Sequence, residues 1–192
     1  MTDRRLQAAG IESALDRGVD IWGRRIWLHG DITEETIGLV IRGLYLISDL
    51  DPERPIELYV SSYGGEIDAT FALHDVTRTI RAPIHTVALG TCMSAAPLLV
   101  ACGTPGHRFA SPNALFMLHT GSFGIEGSVA NVRSTADAIR ERCARMDRLL
   151  AEYTQRPYRH WSQISRRLED SYFDAETAVE WGIVDAIWSE KD

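Results

Sequence analysis

The sequence predicts an α/β fold built on a parallel sheet, and three features carry that prediction. Short β-branched and apolar runs alternate with longer segments whose apolar residues recur at threes and fours. The alternation repeats as β-α-β-α-β-α through the first half of the chain, in units too short for two domains. Glycine- and serine-containing turns close the strands, where α/β sheets collect their ligands. One domain over residues 1–192 is expected, with right-handed crossovers.

Residues 3–16 read as a weak amphipathic helix on Leu6, Ile11, Ala14 and Leu15, within an N-terminal arm spanning about 1–19. Arg25-Ile26-Trp27-Leu28-His29 is a strand. Asp31 with Glu34 forms a capping-box pattern. The helix it opens carries Ile37, Val40, Ile41, Leu44, Ile47 and Leu50 on one face and stops at Asp51-Pro52. Ile56 to Val60 is the next strand, closed by Ser61-Ser62-Tyr63-Gly64-Gly65. A helix over 67–81 ends at Ala82-Pro83, and Ile84 to Leu89 is a buried strand.

Ser94 follows that strand and precedes an apolar run of helical length, Ala95 to Ala101, that stops at Gly103. Both Ser94 and Gly64-Gly65 follow strand ends, where they can face one crevice. Short strands are expected at 108–110 and 114–119, then a glycine-rich ribbon from Thr120 to Gly127. A long helix from about Ser128 to Thr154 follows, some 40 Å by its rise. It outreaches the core of one domain, so part of it reads as an arm between subunits. A short helix over His160 to Leu168, a helix opened by Asp174 and ended by Gly182, and a strand over 183–188 complete the chain.

The net charge of −7 argues against general nucleic-acid or anionic-membrane partners. Three cysteines in apolar or helical settings, without CxxC or zinc spacing, read as reduced packing residues, and no metal site is expected. The start of the chain has no apolar block of a secretory signal, and no run approaches the ~20 apolar residues of a membrane span. The expected location is the cytoplasm.

A strand-to-helix turn exposes a serine hydroxyl and sets it beside helix N–H groups that favour negative charge. The same turn also suits a serine that merely caps a helix, and this stretch alone favours the cap. A nucleophile needs a base, an orienting acid and oxyanion donors. His119, at the end of an apolar strand, is the best placed of the six histidines, although a satisfied core histidine fits equally. Glu169, Asp170 and Asp174 are candidate acids, Asp174 the weakest because it already caps a helix. Gly64-Gly65 can supply a peptide N–H or form an ordinary turn.

In this order the signals closely resemble one family, the ClpP-type proteolytic subunits of ATP-dependent Clp proteases, over roughly residues 20–188. The resemblance rests on Ser61 to Gly65, Gly90 to Leu99, Arg108-Phe109 through His119, and Asp170 to Ala175 followed by Glu180 to Asp185. It implies a ClpP/crotonase-like fold of repeated β-β-α units with a protruding handle over about 120–155. It implies a serine endopeptidase with Ser94 as nucleophile, His119 as base and then acid, and Asp170 orienting the imidazole. The N–H groups of Gly65 and Ala95 would form the oxyanion hole, and the ribbon around Gly121, Gly124 and Ile125 would pair with extended substrate as an added strand. No cofactor is implied. Two stacked seven-membered rings would enclose unfolded protein substrates, delivered by an ATP-dependent (AAA+) unfoldase of the Clp type.

The chain departs from the family pattern at several points. Tyr63 replaces a proline beside the oxyanion loop, Ala96 a glycine, and Asp174 a Ser or Thr. The stretch from His119 to Asp170 is slightly longer, and the familiar start of an axial loop before Asp20 is missing. Tyr59 and Phe109 suit the family's unfoldase pocket. Glu57 and Thr79 stand where aromatics are common, and Trp188 replaces a smaller apolar residue, so Glu57 and Thr79 work against docking. Two other readings compete: a crotonase-type acyl-CoA hydratase or lyase, which needs no serine–histidine–acid set, and a catalytically inactive ring subunit.

Overall fold

A computed structural model describes residues 17–188. The predicted helix over 3–16 lies outside the described residues. The strands are β1 (Val19–Asp20), β2 (Arg25–His29), β3 (Ile56–Ser62), β4 (Ile84–Met93), β5 (Arg108–Ala110), β6 (Leu115–Leu118), β7 (Ser171–Phe173) and β8 (Ala186–Ile187). The helices are α1 (Glu34–Leu50), α2 (Ile67–Thr79), α3 (Ala96–Ala101), α4 (Val129–Tyr153), α5 (Tyr158–Ile164) and α6 (Ala175–Trp181).

One sheet runs in the order β1-β2-β3-β4-β5-β8, with β6 on β4 and β7 on β6. Its core is parallel, as expected; among the described residues the β1–β2 and β6–β7 pairs are antiparallel and the rest parallel. β4 gives Thr86–Ala88 to β5 and Thr91–Met93 to β6. Gly90, at φ +59°, lies between these two stretches and lets one strand change partners.

The helices cover one face. α1 buries Ile37, Val40, Leu44 and Ile47, the threes-and-fours stripe read from the sequence. Each such side chain contributes roughly 1.5–3 kcal/mol on burial. Its cap is not the expected Asp31 and Glu34. Thr33 accepts from the Thr36 N–H at 3.2 Å, and Thr36 Oγ1 accepts from the Thr33 N–H at 2.9 Å. The helix starts two residues later than that pattern implied, because Ile32 is held in a parallel bridge to Gly65. At its other end no basic residue sits in the last turn. The buried guanidinium of Arg24 takes that role, donating to the carbonyls of Ile47, Asp51, Arg54 and Pro55 at 2.7–3.0 Å.

The side chains of β2 and β3 that alternate away from the helices are exposed or half-buried. Trp27 stacks on Tyr59 at 5.7 Å, and Trp188 meets Tyr59 edge-on at 6.1 Å. Glu57 lies on this face and accepts from Arg25 Nε at 3.0 Å and the Tyr59 hydroxyl at 2.9 Å. Burial, together with the hydrogen bond to Glu57, pushes the Tyr59 hydroxyl up to about 12.

Other boundaries differ from the sequence reading. β7 was not expected; its three residues are too few for periodicity to show, and pairing with β6 makes it a strand. α5 runs over Tyr158–Ile164 rather than 160–168, beginning after Pro157. The last strand shrinks to Ala186–Ile187, since β5, its partner among the described residues, has just three residues. Residues 120–127 form no strand within the chain. Among the described residues, no helix is long and apolar enough to cross a membrane.

A part-buried ion pair joins the far edge to the centre. Arg108 Nη2 lies 2.5 Å from Asp185 Oδ1 and Nε 2.9 Å from Oδ2, while Nη1 donates to the Tyr153 carbonyl at 2.8 Å. Burial pushes the Asp185 carboxyl up, but the hydrogen bonds and charge of Arg108 outweigh it and hold the pKa below the ordinary value. The stabilisation is therefore complete above the unfolded-chain carboxylate pKa of about 4 and is lost as pH falls through the lower folded value. Arg108→Met is expected to cost about 3 kcal/mol in urea unfolding at neutral pH. The gap from wild type should narrow on acidification, as the orphaned Asp185 takes up a proton.

Candidate active site

Three strand ends meet at one place. Ser94 directly follows β4, His119 directly follows β6, and Asp170 directly precedes β7. β4 and β6 are parallel neighbours, with Met93 opposite Met117. β6 and β7 are antiparallel, with Leu118 opposite Ser171, which sets His119 beside Asp170. Residues far apart in the chain are thus neighbours through register alone.

Ser94 has φ +58°, in the left-handed region that serine rarely enters. The turn is held by its N–H, which donates to the Met117 carbonyl at 2.7 Å. Such a strained strand-to-helix turn lifts a side chain clear of the sheet end. Ser94 Oγ lies 2.9 Å from His119 Nε2, where the hydroxyl can donate to the ring. His119 Nδ1 lies 3.9 Å from Asp170 Oδ1, close enough for charge attraction and too far for a hydrogen bond. Asp170 is half exposed, and the Tyr172 hydroxyl approaches its other oxygen only to 3.5 Å.

The remaining candidates are placed elsewhere. His74 is occupied by Asp75 and the Tyr153 hydroxyl, both at 2.9 Å. His85 and His107 stack on each other at 4.0 Å, and His160 packs between Trp161 and Trp181. Asp174 accepts from the Thr177 N–H at 2.9 Å, the capping role expected of it. Glu169 is exposed on the loop before Asp170. Cys92, two residues before Ser94, is fully buried, and burial pushes its thiol far up, so it stays protonated and unreactive.

The glycine turn after β3 closes the other side of Ser94. Ser62 pairs with Cys92, and Gly64 then passes Ser94 at φ +98°. A Cβ at Gly64 would lie 2.5 Å from Ser94 Cβ and 2.8 Å from the Met93 carbonyl oxygen, so only glycine fits. Ser62 Oγ accepts the Gly64 N–H at 3.0 Å, and the Gly64 carbonyl accepts from Ile32 at 2.8 Å. The bridge to Ile32 uses the carbonyl of Gly64 and the N–H of Glu66, not the N–H of Gly65. Among the described residues the N–H groups of Gly65 and Ala95 donate no hydrogen bond. Ala95 is buried and caps α3, a helix of only six residues. The site therefore holds a hydroxyl, an imidazole, a carboxylate and two peptide donors without partners, the groups that acyl transfer requires.

The close approach of Gly64 has a measurable cost. Gly64→Ala is expected to lower stability in urea by more than about 2 kcal/mol, from the clash and the positive φ together. Gly106→Ala, with φ +84° and open space around its Cβ, carries only the dihedral cost, about 1 kcal/mol.

The comparison with known families agrees with this architecture. A family model described as Clp protease matches residues 17–191, which takes in every strand and helix above. By that match, the chain belongs to the Clp protease family.

Proposed function

We propose that this protein is a serine endopeptidase in which Ser94, His119 and Asp170 cleave peptide bonds through an acyl-enzyme. The contact that carries the reading is Ser94 Oγ at 2.9 Å from His119 Nε2, on a turn that exposes the hydroxyl. Ser94 Oγ attacks the substrate carbonyl carbon while its proton passes to His119 Nε2. Negative charge develops on the carbonyl oxygen and is met by the N–H groups of Gly65 and Ala95, each worth about 3–4 kcal/mol in comparable sites. The C–N bond then breaks, His119 returns the proton to the leaving amine, and an ester remains on Ser94. Water attacks that ester as His119 takes one of its protons, and transfer of this proton back to Ser94 Oγ releases the acid.

Asp170 stabilises the imidazolium that forms in each half-reaction. From 3.9 Å it must close by about 1 Å to hydrogen-bond the ring, and its exposed loop permits such a movement. No cofactor takes part in this scheme.

Assembly and delivery form the second half of the proposal. The ribbon at 120–127 makes no backbone–backbone hydrogen bond among the described residues, so Gly121, Gly124 and Ile125 offer free donors and acceptors to an extended substrate. The first turns of α4 stand away from the core, with Val129 87% exposed. These features support a handle that joins two rings into a chamber for unfolded chains. The aromatic face around Tyr59 is the surface for an ATP-dependent unfoldase, although Glu57 is engaged there by Arg25 and Tyr59, and Thr79 offers no ring. A partner for this face must tolerate a carboxylate.

Labelling by a fluorophosphonate is expected for wild type and absent in Ser94→Ala; equal labelling of both would sink the catalytic reading. His119→Ala should lower kcat by about 10⁶-fold, and Asp170→Asn by about 10⁴-fold. Sedimentation velocity should show a large ring assembly, and monomer alone across a wide concentration range would contradict the chamber.

A further inference from the structure

We propose that Thr120 is a positioning residue that holds the loop bearing Asp170 against the His119 end of the site. The inference rests on the catalytic reading above. Asp170 makes no close contact of its own: His119 is 3.9 Å away and the Tyr172 hydroxyl 3.5 Å. Leu168 is fully exposed, and Glu169 and Asp170 are exposed beside it, so no core packing places this span either. Its position is set by the two ends that hold it.

One end is the pairing of Ser171 with Leu118. The other is a polar anchor on the turn that closes α5. Thr120 Oγ1 lies 2.7 Å from both the Ser165 and the Arg167 carbonyl oxygens, and its single proton can go to either. That turn is itself fastened: Ser165 N–H donates to the Trp161 carbonyl and Arg167 N–H to the Ile164 carbonyl. The Ser165 hydroxyl lies 2.8 Å from the carboxylate of Asp147, which is buried on α4.

Thr120 adjoins His119 in the chain, so one residue step separates the proposed base from the clamp on the acid's loop. Moving the loop outward stretches the Thr120 hydrogen bonds before it alters anything in the core. The hydroxyl thereby limits how far Asp170 can stand from His119 and keeps the acid within reach of the imidazolium. A surface hydroxyl that only satisfied two carbonyls would not matter for turnover.

The test uses the full chain, a fluorogenic peptide and a fluorophosphonate probe. Thr120→Val keeps the shape and removes the donor. It should lower kcat about ten- to hundred-fold, the scale of an ångström-level misplacement, with KM little changed. It should slow labelling of Ser94 in proportion, and Thr120→Ser should restore both. If Thr120→Val fails to assemble, Thr120→Ala carries the same expectation. Unchanged kcat in the variant lacking the hydroxyl, or an equal loss in Thr120→Ser, overturns the inference. Labelling that persists in Ser94→Ala overturns the catalytic reading itself. Ser94-dependent labelling with an unaffected Thr120→Val removes the role of Thr120 alone.

Discussion

The structure depends on β4 being longer than any one of its neighbours on that side. Its first half is held by β5 and its second by β6, and the change of partner at Gly90 splits the sheet into two branches. One branch continues through β5 to β8 and holds the part-buried ion pair of Arg108 with Asp185. The other continues through β6 to β7 and carries the proposed site at its rim. Parallel pairing between β4 and β6 puts Ser94 and His119 on the same edge. Antiparallel pairing between β6 and β7 brings Asp170 back to that edge from far along the chain.

This arrangement divides the stability between apolar packing and a few satisfied buried cations. Arg24 spends its donors on four carbonyls around the end of α1, and Arg108 ties β5, β8 and the end of α4 to one point. Such groups are costly to bury and stabilise only when every donor is matched. Their reward is geometric. With the branch through β8 locked, the long strand β4 cannot slide, and the strained turn at Ser94 stays over-determined by Gly64 on one side and Met117 on the other.

The acid end of the site is looser than the nucleophile end for the same reason. Ser94 and His119 stand at the ends of buried strands, whereas Asp170 ends an exposed loop held by pairing at Ser171, by the turn after α5 and by the contacts of Thr120 and Ser165. The aromatic face at Trp27, Tyr59 and Trp188 and the first turns of α4 leave apolar side chains partly exposed on the chain's surface.

The sequence by itself determined the class of fold, the order of its main elements and the short list of chemical groups. Apolar periodicity over α1 and α4, and β-branched runs at β3 and β4, are local signals strong enough to stand without partners. The cap at Asp174 and the stop at Gly182 were equally legible, being local too. Only tertiary structure decided what depends on pairing: β7, the true cap at Thr33, and the approach of the His119 ring to Ser94 Oγ. Threonine after histidine carries no local signal of its role at Thr120, because the carbonyls it meets lie some 45 residues on. A glycine pair reads the same in any turn, and it took the register of β3 on β4 to bring Gly64 against Ser94. Register is a property of the whole sheet, and no short stretch of chain encodes it.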